Sequence, residues 1–157
     1  MLKLRDIENC KLKFKNDSGV QDVKLKELIE NKNIVMFGVP GAFTSTCSAK
    51  HLPSYIKNRE LIIEKGISVV ACMAVNDPHV MLAWGEANGV VGKIDMLSDT
   101  DCSISESLGL DMDFGKVMGR RSRRFSMVVD NNIIIKLFVE EVGAFEVSSA
   151  ENMLKHL

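Results

Sequence analysis

Two apolar runs limit the folds open to this chain. Ile34-Val35-Met36-Phe37-Gly38-Val39 and Val69-Val70-Ala71-Cys72-Met73-Ala74-Val75 lack the polar alternation of a half-exposed strand. Strands that are apolar at successive positions are covered on both faces. Between the runs, Leu52, Tyr55, Ile56, Ile62 and Ile63 recur at helical spacing as far as Gly66. Strand, helix and strand in that order make a βαβ unit, which favours a right-handed crossover.

The remaining segments fit around that unit. Lys11-Leu12-Lys13-Phe14-Lys15 alternates with period two, as a half-exposed strand does, and Asn16-Asp17-Ser18-Gly19 reads as a turn. Leu25, Leu28 and Ile29 mark a short helix. Pro53 falls inside the long helix and predicts a kink, because its ring removes a hydrogen bond. Asp77-Pro78 supplies an N-cap and a proline at the first helical position. The helix they open carries Val80, Met81, Trp84 and Ala87 and ends near Asn88-Gly89. Ile94 to Leu97 reads as a short strand. Ser103-Ile104-Ser105-Glu106 predicts a capping box, and Ser148-Ser149-Ala150-Glu151 predicts another before a last helix with Met153, Leu154 and Leu157 inward. Phe125 to Val129 and Ile133 to Val139, joined at Asp130-Asn131-Asn132, predict an antiparallel hairpin. A βαβ unit followed by a ββα unit is the arrangement of an α/β, thioredoxin-like fold, a central mixed sheet flanked by helices.

At 157 residues, with no Pro/Ser linker, repeat or low-complexity tract, the chain reads as one domain over residues 1–157. A net charge of −1 gives no global field that would favour nucleic acid or an anionic membrane. No apolar run approaches the ~18–20 residues of a membrane span. Met1-Leu2-Lys3-Leu4-Arg5-Asp6 lacks a signal-peptide core, so a cytoplasmic protein, or an already processed organellar form, is expected. Cys10, Cys47, Cys72 and Cys102 show no short repeat spacing, which is not a secreted disulfide framework; they read as free thiols.

One of these thiols stands apart. Free cysteine is usually inert packing, yet Cys47 lies among Thr44, Ser45, Thr46 and Ser48, where a strand gives way to a helix. Backbone N–H groups at such a junction lack helical partners and favour a thiolate, the reactive form of cysteine. Thr44 is three residues ahead, the spacing at which an N-cap hydroxyl meets the N3 amide. Pro40 and Phe43 are expected to roof the site and limit water. His51 stands four residues after Cys47. As an imidazolium it would favour the thiolate, and as a neutral ring it could ligate metal, but no second ligand pair accompanies it. A histidine bonded to backbone near the kink fits equally well. Arg120-Arg121-Ser122-Arg123-Arg124 precedes a strand, so alternate residues should point opposite ways, some to solvent and one set toward a pocket.

Pro40-Gly41-Ala42-Phe43-Thr44-Ser45-Thr46-Cys47 resembles the Pro-x-x-x-Thr-x-x-Cys motif of peroxiredoxins. The longer string Phe37 to Pro53, with Val75-Asn76-Asp77 and Arg121-Ser122-Arg123-Arg124-Phe125, resembles the type II, or peroxiredoxin-5-like, subfamily. The resemblance runs from about Leu25 to the C-terminus. It implies thiol-dependent reduction of hydrogen peroxide and alkyl hydroperoxides without cofactor or metal. It also implies that Cys47 is the peroxidatic nucleophile and that Thr44 bonds thiolate and peroxide. Pro40 would shield the site, Arg124 would be the active-site arginine, and family members commonly form homodimers. Arg120, Arg121 and Arg123 keep the reading of a solvated face.

The sulfenic acid product must then be reduced. Val147-Ser148-Ser149-Ala150 has no thiol where mammalian relatives carry a late resolving cysteine. Cys72 follows Cys47 by 25 residues, a spacing like that of plant type II members, but it sits in a buried strand. A disulfide needs Cα atoms within ~7 Å, so the Cys47 turn would have to unwind. Two routes stay open: Cys72, or direct attack by glutathione with glutaredoxin or by thioredoxin. Cys10 and Cys102 show no motif and read as non-catalytic.

Magnitudes decide where the rate comes from. A thiol of pKa ~8.5 is about 3% ionised at pH 7, so complete ionisation gains at most ~30-fold. A lower pKa also weakens the nucleophile. The larger share is expected from donors aimed at the peroxide oxygens: Arg124, Thr44 and the Cys47 amide. Two rival readings are weaker. A dithiol reductase needs Cys-x-x-Cys, and Cys47 is followed by Ser48-Ala49-Lys50. A nucleic-acid module built on the arginine run would want interleaved aromatics and a basic net charge.

Overall fold

A computed structural model describes residues 11–157. Cys10 lies outside the described residues. The elements are β1 (Lys11–Asn16), β2 (Gly19–Lys24), α1 (Leu25–Ile29), β3 (Asn33–Gly38), a π-helical turn (Cys47–His51), α2 (Leu52–Glu64), β4 (Val69–Ala74), α3 (Pro78–Ala87), β5 (Asp95–Ser98), α4 (Ser103–Ser107), β6 (Asp111–Asp113), α5 (Gly115–Met118), β7 (Arg120–Ser122), β8 (Phe125–Asp130), β9 (Ile133–Val139) and α6 (Ala150–Leu154). Seven strands form one mixed sheet in the order β2-β1-β5-β4-β3-β8-β9. β3, β4 and β5 run parallel, while β8 is antiparallel to β3 and β9. Among the described residues no helix is long and apolar enough to cross a membrane.

The two-sided burial expected of β3 and β4 is present: Ile34 to Gly38 and Val70 to Ala74 are all buried. Successive strand residues alternate between faces, so each strand feeds two cores. Val35, Phe37 and Cys72 pack with Tyr55 and Ile62 of α2, Met81 and Trp84 of α3, and Met153 of α6. Ile34, Met36, Ala71 and Met73 pack on the other face with Leu25, Leu28 and Ile29 of α1, Ile104 of α4 and Phe125 of β8. Gly38 permits one of these contacts. A Cβ there would lie 1.9 Å from the Phe125 ring, so only glycine lets β3 and β8 close at this point.

Several local expectations are corrected. Pro53 sits in the first turn of α2 and not in a helix interior; the turn ahead of it, Cys47–His51, is π-helical, and the Leu52 N–H reaches back to the Cys47 carbonyl. α4 is held by the Asp99 carboxylate, which accepts from the Ile104 and Ser105 amides, and by Asp101, which accepts from the Ser103 amide. Ser103 is therefore not the cap. α6 starts one residue later than the Ser148 pattern suggests, with the Ser149 hydroxyl accepting from the Asn152 amide at 3.1 Å. The hairpin turn is as expected: Asn131 and Asn132 take φ of 45° and 69°, the left-handed pair that a two-residue turn requires. β2 and the small β6–β7 sheet had no counterpart in the sequence pattern.

Candidate active site

Where β3 ends, the chain enters a loop that its neighbours hold tightly. The Val39 amide donates to the Met73 carbonyl at 3.0 Å, and the Ala42 amide donates to the Asn76 side chain at 2.8 Å. Because β3 and β4 are parallel, the loop and Asn76 emerge at the same end of the sheet. Arg121 braces the loop from outside, donating to the carbonyls of Pro40 (3.0 Å) and Met118 (2.8 Å). A Cβ at Gly41 would come within 2.7 Å of Arg121 Nη1 and 3.1 Å of the Thr44 methyl, so a larger residue there would displace the Arg121 brace.

Thr44 begins the helix differently from the expected cap. Its carbonyl accepts from the Ser48 amide at 2.9 Å, but its hydroxyl donates to the Gly41 carbonyl at 2.7 Å instead of accepting from the Cys47 amide. Cys47 follows in the π turn with no solvent exposure. Its Sγ accepts from Arg124 Nη2 at 3.1 Å. Arg124 lies in the short connection between β7 and β8. The register that pairs Gly38 with Phe125 sets it beside the end of β3.

The arginine run thus divides in an order that strand alternation does not describe. Arg124 meets the sulfur, Arg121 braces Pro40, and Arg123 donates to the Glu140 carbonyl at 2.8 Å. Arg120 alone fits the solvated reading, paired with Asp111 and Glu106 at the surface.

His51 is fully buried and both ring nitrogens are committed. A guanidinium only donates, so Nδ1, 2.9 Å from Arg124 Nη1, is the acceptor. Nε2 therefore carries the proton and donates to the Ser148 carbonyl at 3.1 Å. Burial, and secondarily the Arg124 charge, push the imidazole pKa down to about 3, with the Ser148 bond acting weakly the other way. The ring is neutral. Of the three readings open for His51, imidazolium, metal ligand and backbone-bonded ring, the geometry matches the backbone-bonded one.

A cavity of about 60 Å³ adjoins Arg124, lined also by Pro40, Thr46 and Phe114 and by the segment Glu140–Ala144. That is several times the ~10–15 Å³ one water centre needs. Phe43, expected in the roof, does not line it. Phe43 is 56% exposed and lies toward Trp84, with ring centroids 6.4 Å apart, and Phe114 forms the aromatic wall instead. Cys72 is fully buried in β4, opposite Phe37 and Met96. Burial, reinforced by the proximity of Cys47, raises its thiol pKa well above the ordinary value. Cys102 is buried beside α4. Glu140 and Phe114 lie outside any sequence motif, and the sequence marks Ser148 only as part of a helix cap, not as a partner of His51.

A redoxin family model matches residues 7–154. The chain is 42% identical over 146 residues to the rice (Oryza sativa subsp. japonica) chloroplastic peroxiredoxin-2E-2, covering 90% of this chain but only 64% of that protein. It is 40% identical over 145 residues to Arabidopsis thaliana peroxiredoxin-2D, covering 92% of this chain and 90% of the relative. Among solved structures, reduced Prx3 from Vibrio vulnificus in complex with H2O2 superposes with a TM-score of 0.92 at 41% identity, covering 96% of this chain and 94% of the other.

Proposed function

The chain belongs to the redoxin family, among the type II peroxiredoxins, and from that premise we propose that it reduces hydrogen peroxide and organic hydroperoxides with Cys47 as nucleophile. The thiolate of Cys47 attacks the distal peroxide oxygen. The S–O bond forms as the O–O bond breaks, sulfur is oxidised by two electrons, and the departing alkoxide or hydroxide takes a proton to leave as alcohol or water. Arg124 neutralises charge that develops on the oxygens, Thr44 lends its hydroxyl oxygen as an acceptor for the peroxide proton, and Pro40 keeps bulk water off the sulfur. The observation that supports this most is the Arg124 guanidinium, 3.1 Å from a buried sulfur, on an arginine that also lines a small cavity.

An external thiol then attacks the sulfenic acid, releasing water and leaving a mixed disulfide. A second thiol, from glutathione with glutaredoxin or from thioredoxin, returns Cys47 to the thiol. The folded geometry favours this route over Cys72, whose protonated and buried thiol is a poor nucleophile until the π turn opens. A homodimer in the cytoplasm, or a processed organellar form, is the accompanying proposal. The test is peroxide consumption with dithiothreitol. Wild type should turn over and Cys47→Ser should not; turnover retained in Cys47→Ser refutes the assignment.

A further inference from the structure

We infer that His51, tied through the Ser148 carbonyl to the buried Glu140 carboxylate, is a positioning residue that fixes the Arg124 guanidinium over the Cys47 sulfur. The inference rests on the reading of Cys47 and Arg124 given above. Five hydrogen bonds close a ring. The Glu140 amide donates to the Arg124 carbonyl at 2.9 Å. The Ser148 amide and hydroxyl donate to Glu140 Oε1 at 2.7 and 3.0 Å. His51 Nε2 donates to the Ser148 carbonyl, and Arg124 Nη1 donates to His51 Nδ1. The ring therefore begins at the backbone of Arg124 and ends at its own side chain.

A guanidinium is a rigid planar fork on a flexible stem that samples many rotamers when nothing holds it. Fixing Nη1 on His51 fixes Nη2 on the sulfur, so the donor is in place before substrate arrives. His51 is itself held. Its ring lies 4.9 Å from Phe37, 5.1 Å from Phe145 and 5.6 Å from Tyr55, centroid to centroid, and the Tyr55 hydroxyl shares the Ser148 carbonyl at 3.0 Å. Only a neutral ring serves, because an imidazolium has no lone pair for Arg124 and would repel it. Nδ1 faces the guanidinium, so His51 is not placed to take a proton from the thiol.

The test measures the rate of Cys47 with hydrogen peroxide and, separately, with iodoacetamide, at a pH where alkylation has stopped rising. His51→Phe removes both ring bonds, His51→Asn keeps an acceptor near the Nδ1 position, and His51→Gln keeps a donor toward Ser148 but places no acceptor at the Nδ1 position. Losing the alignment of one preorganised donor should slow the peroxide reaction about 10–100-fold in His51→Phe, with alkylation unchanged and His51→Asn recovering most of the loss. Combined with Arg124→Met, His51→Phe should cost nothing further, since it acts through that arginine. Losses that multiply, a wild-type peroxide rate in His51→Phe, or peroxide and alkylation rates that fall together each overturn the inference. If His51→Phe does not fold, His51→Gln runs the same cycle with the Ser148 tie intact. A wild-type peroxide rate in Arg124→Met would instead sink the reading of the site on which the inference stands.

Discussion

Acidification should destabilise the fold through His51, by an amount the structure supplies. An ordinary imidazole titrates near 6.5, whereas burial and the Arg124 charge hold His51 at about 3. Between those values the unfolded chain takes up a proton that the folded chain refuses. Because the unfolded state then binds more protons, stability rises with pH across that window. The His51 contribution is complete above pH 6.5, is lost progressively on acidification, and is gone near pH 3. The loss amounts to about 2 kcal/mol at pH 5, about 3 kcal/mol at pH 4 and about 5 kcal/mol in full. Urea unfolding followed by the fluorescence of buried Trp84 reads it directly. The informative quantity is the difference from His51→Asn, which leaves every other side chain in place. From pH 7.5 to pH 5 the wild type should lose about 2 kcal/mol more than the variant, whatever the constant offset between them. Parallel curves would refute the reasoning, because they would mean that His51 titrates alike in both states and is not a buried neutral acceptor.

Three other outcomes follow from the same geometry. Arg124→Met should lose more than ~30-fold in the peroxide reaction, the ceiling that thiol ionisation alone allows; stopped-flow rates that return to wild type once pH is raised would show ionisation to be its whole role. Mass spectrometry of peroxide-treated protein should find sulfenic acid at Cys47 in both wild type and Cys72→Ser, and a Cys47–Cys72 disulfide in most wild-type molecules would overturn that. Gly38→Ala should cost about 1–3 kcal/mol of stability through the clash with the Phe125 ring, checked by urea midpoint, and Phe125→Leu should recover part of it.

What the sequence announces is what local pattern can encode. β3 and β4 are legible because each of their faces meets a core, so nearly every residue is apolar; β2, with Val20 at 47% exposure, lies at the sheet edge and carries Gln21 and Asp22. Pro53 signals a missing hydrogen bond but does not say how the chain answers it, and here the preceding turn widens by one residue. Cys47 advertises itself by its hydroxyl neighbours. Its partner cannot, since four arginines offer the same charge and the choice among them is made 77 residues away in sequence. That choice rests on register: Gly38 pairs with Phe125 because glycine alone leaves room for the ring, and Arg124 follows as the residue before it. Shifting β8 by one residue against β3 would turn Phe125 to the opposite face of the sheet and present Arg123, now spent on the Glu140 carbonyl, to the helix start. The hydrophobic fit at Gly38 thus selects which cation meets the sulfur, and the core and the chemistry are specified by one contact.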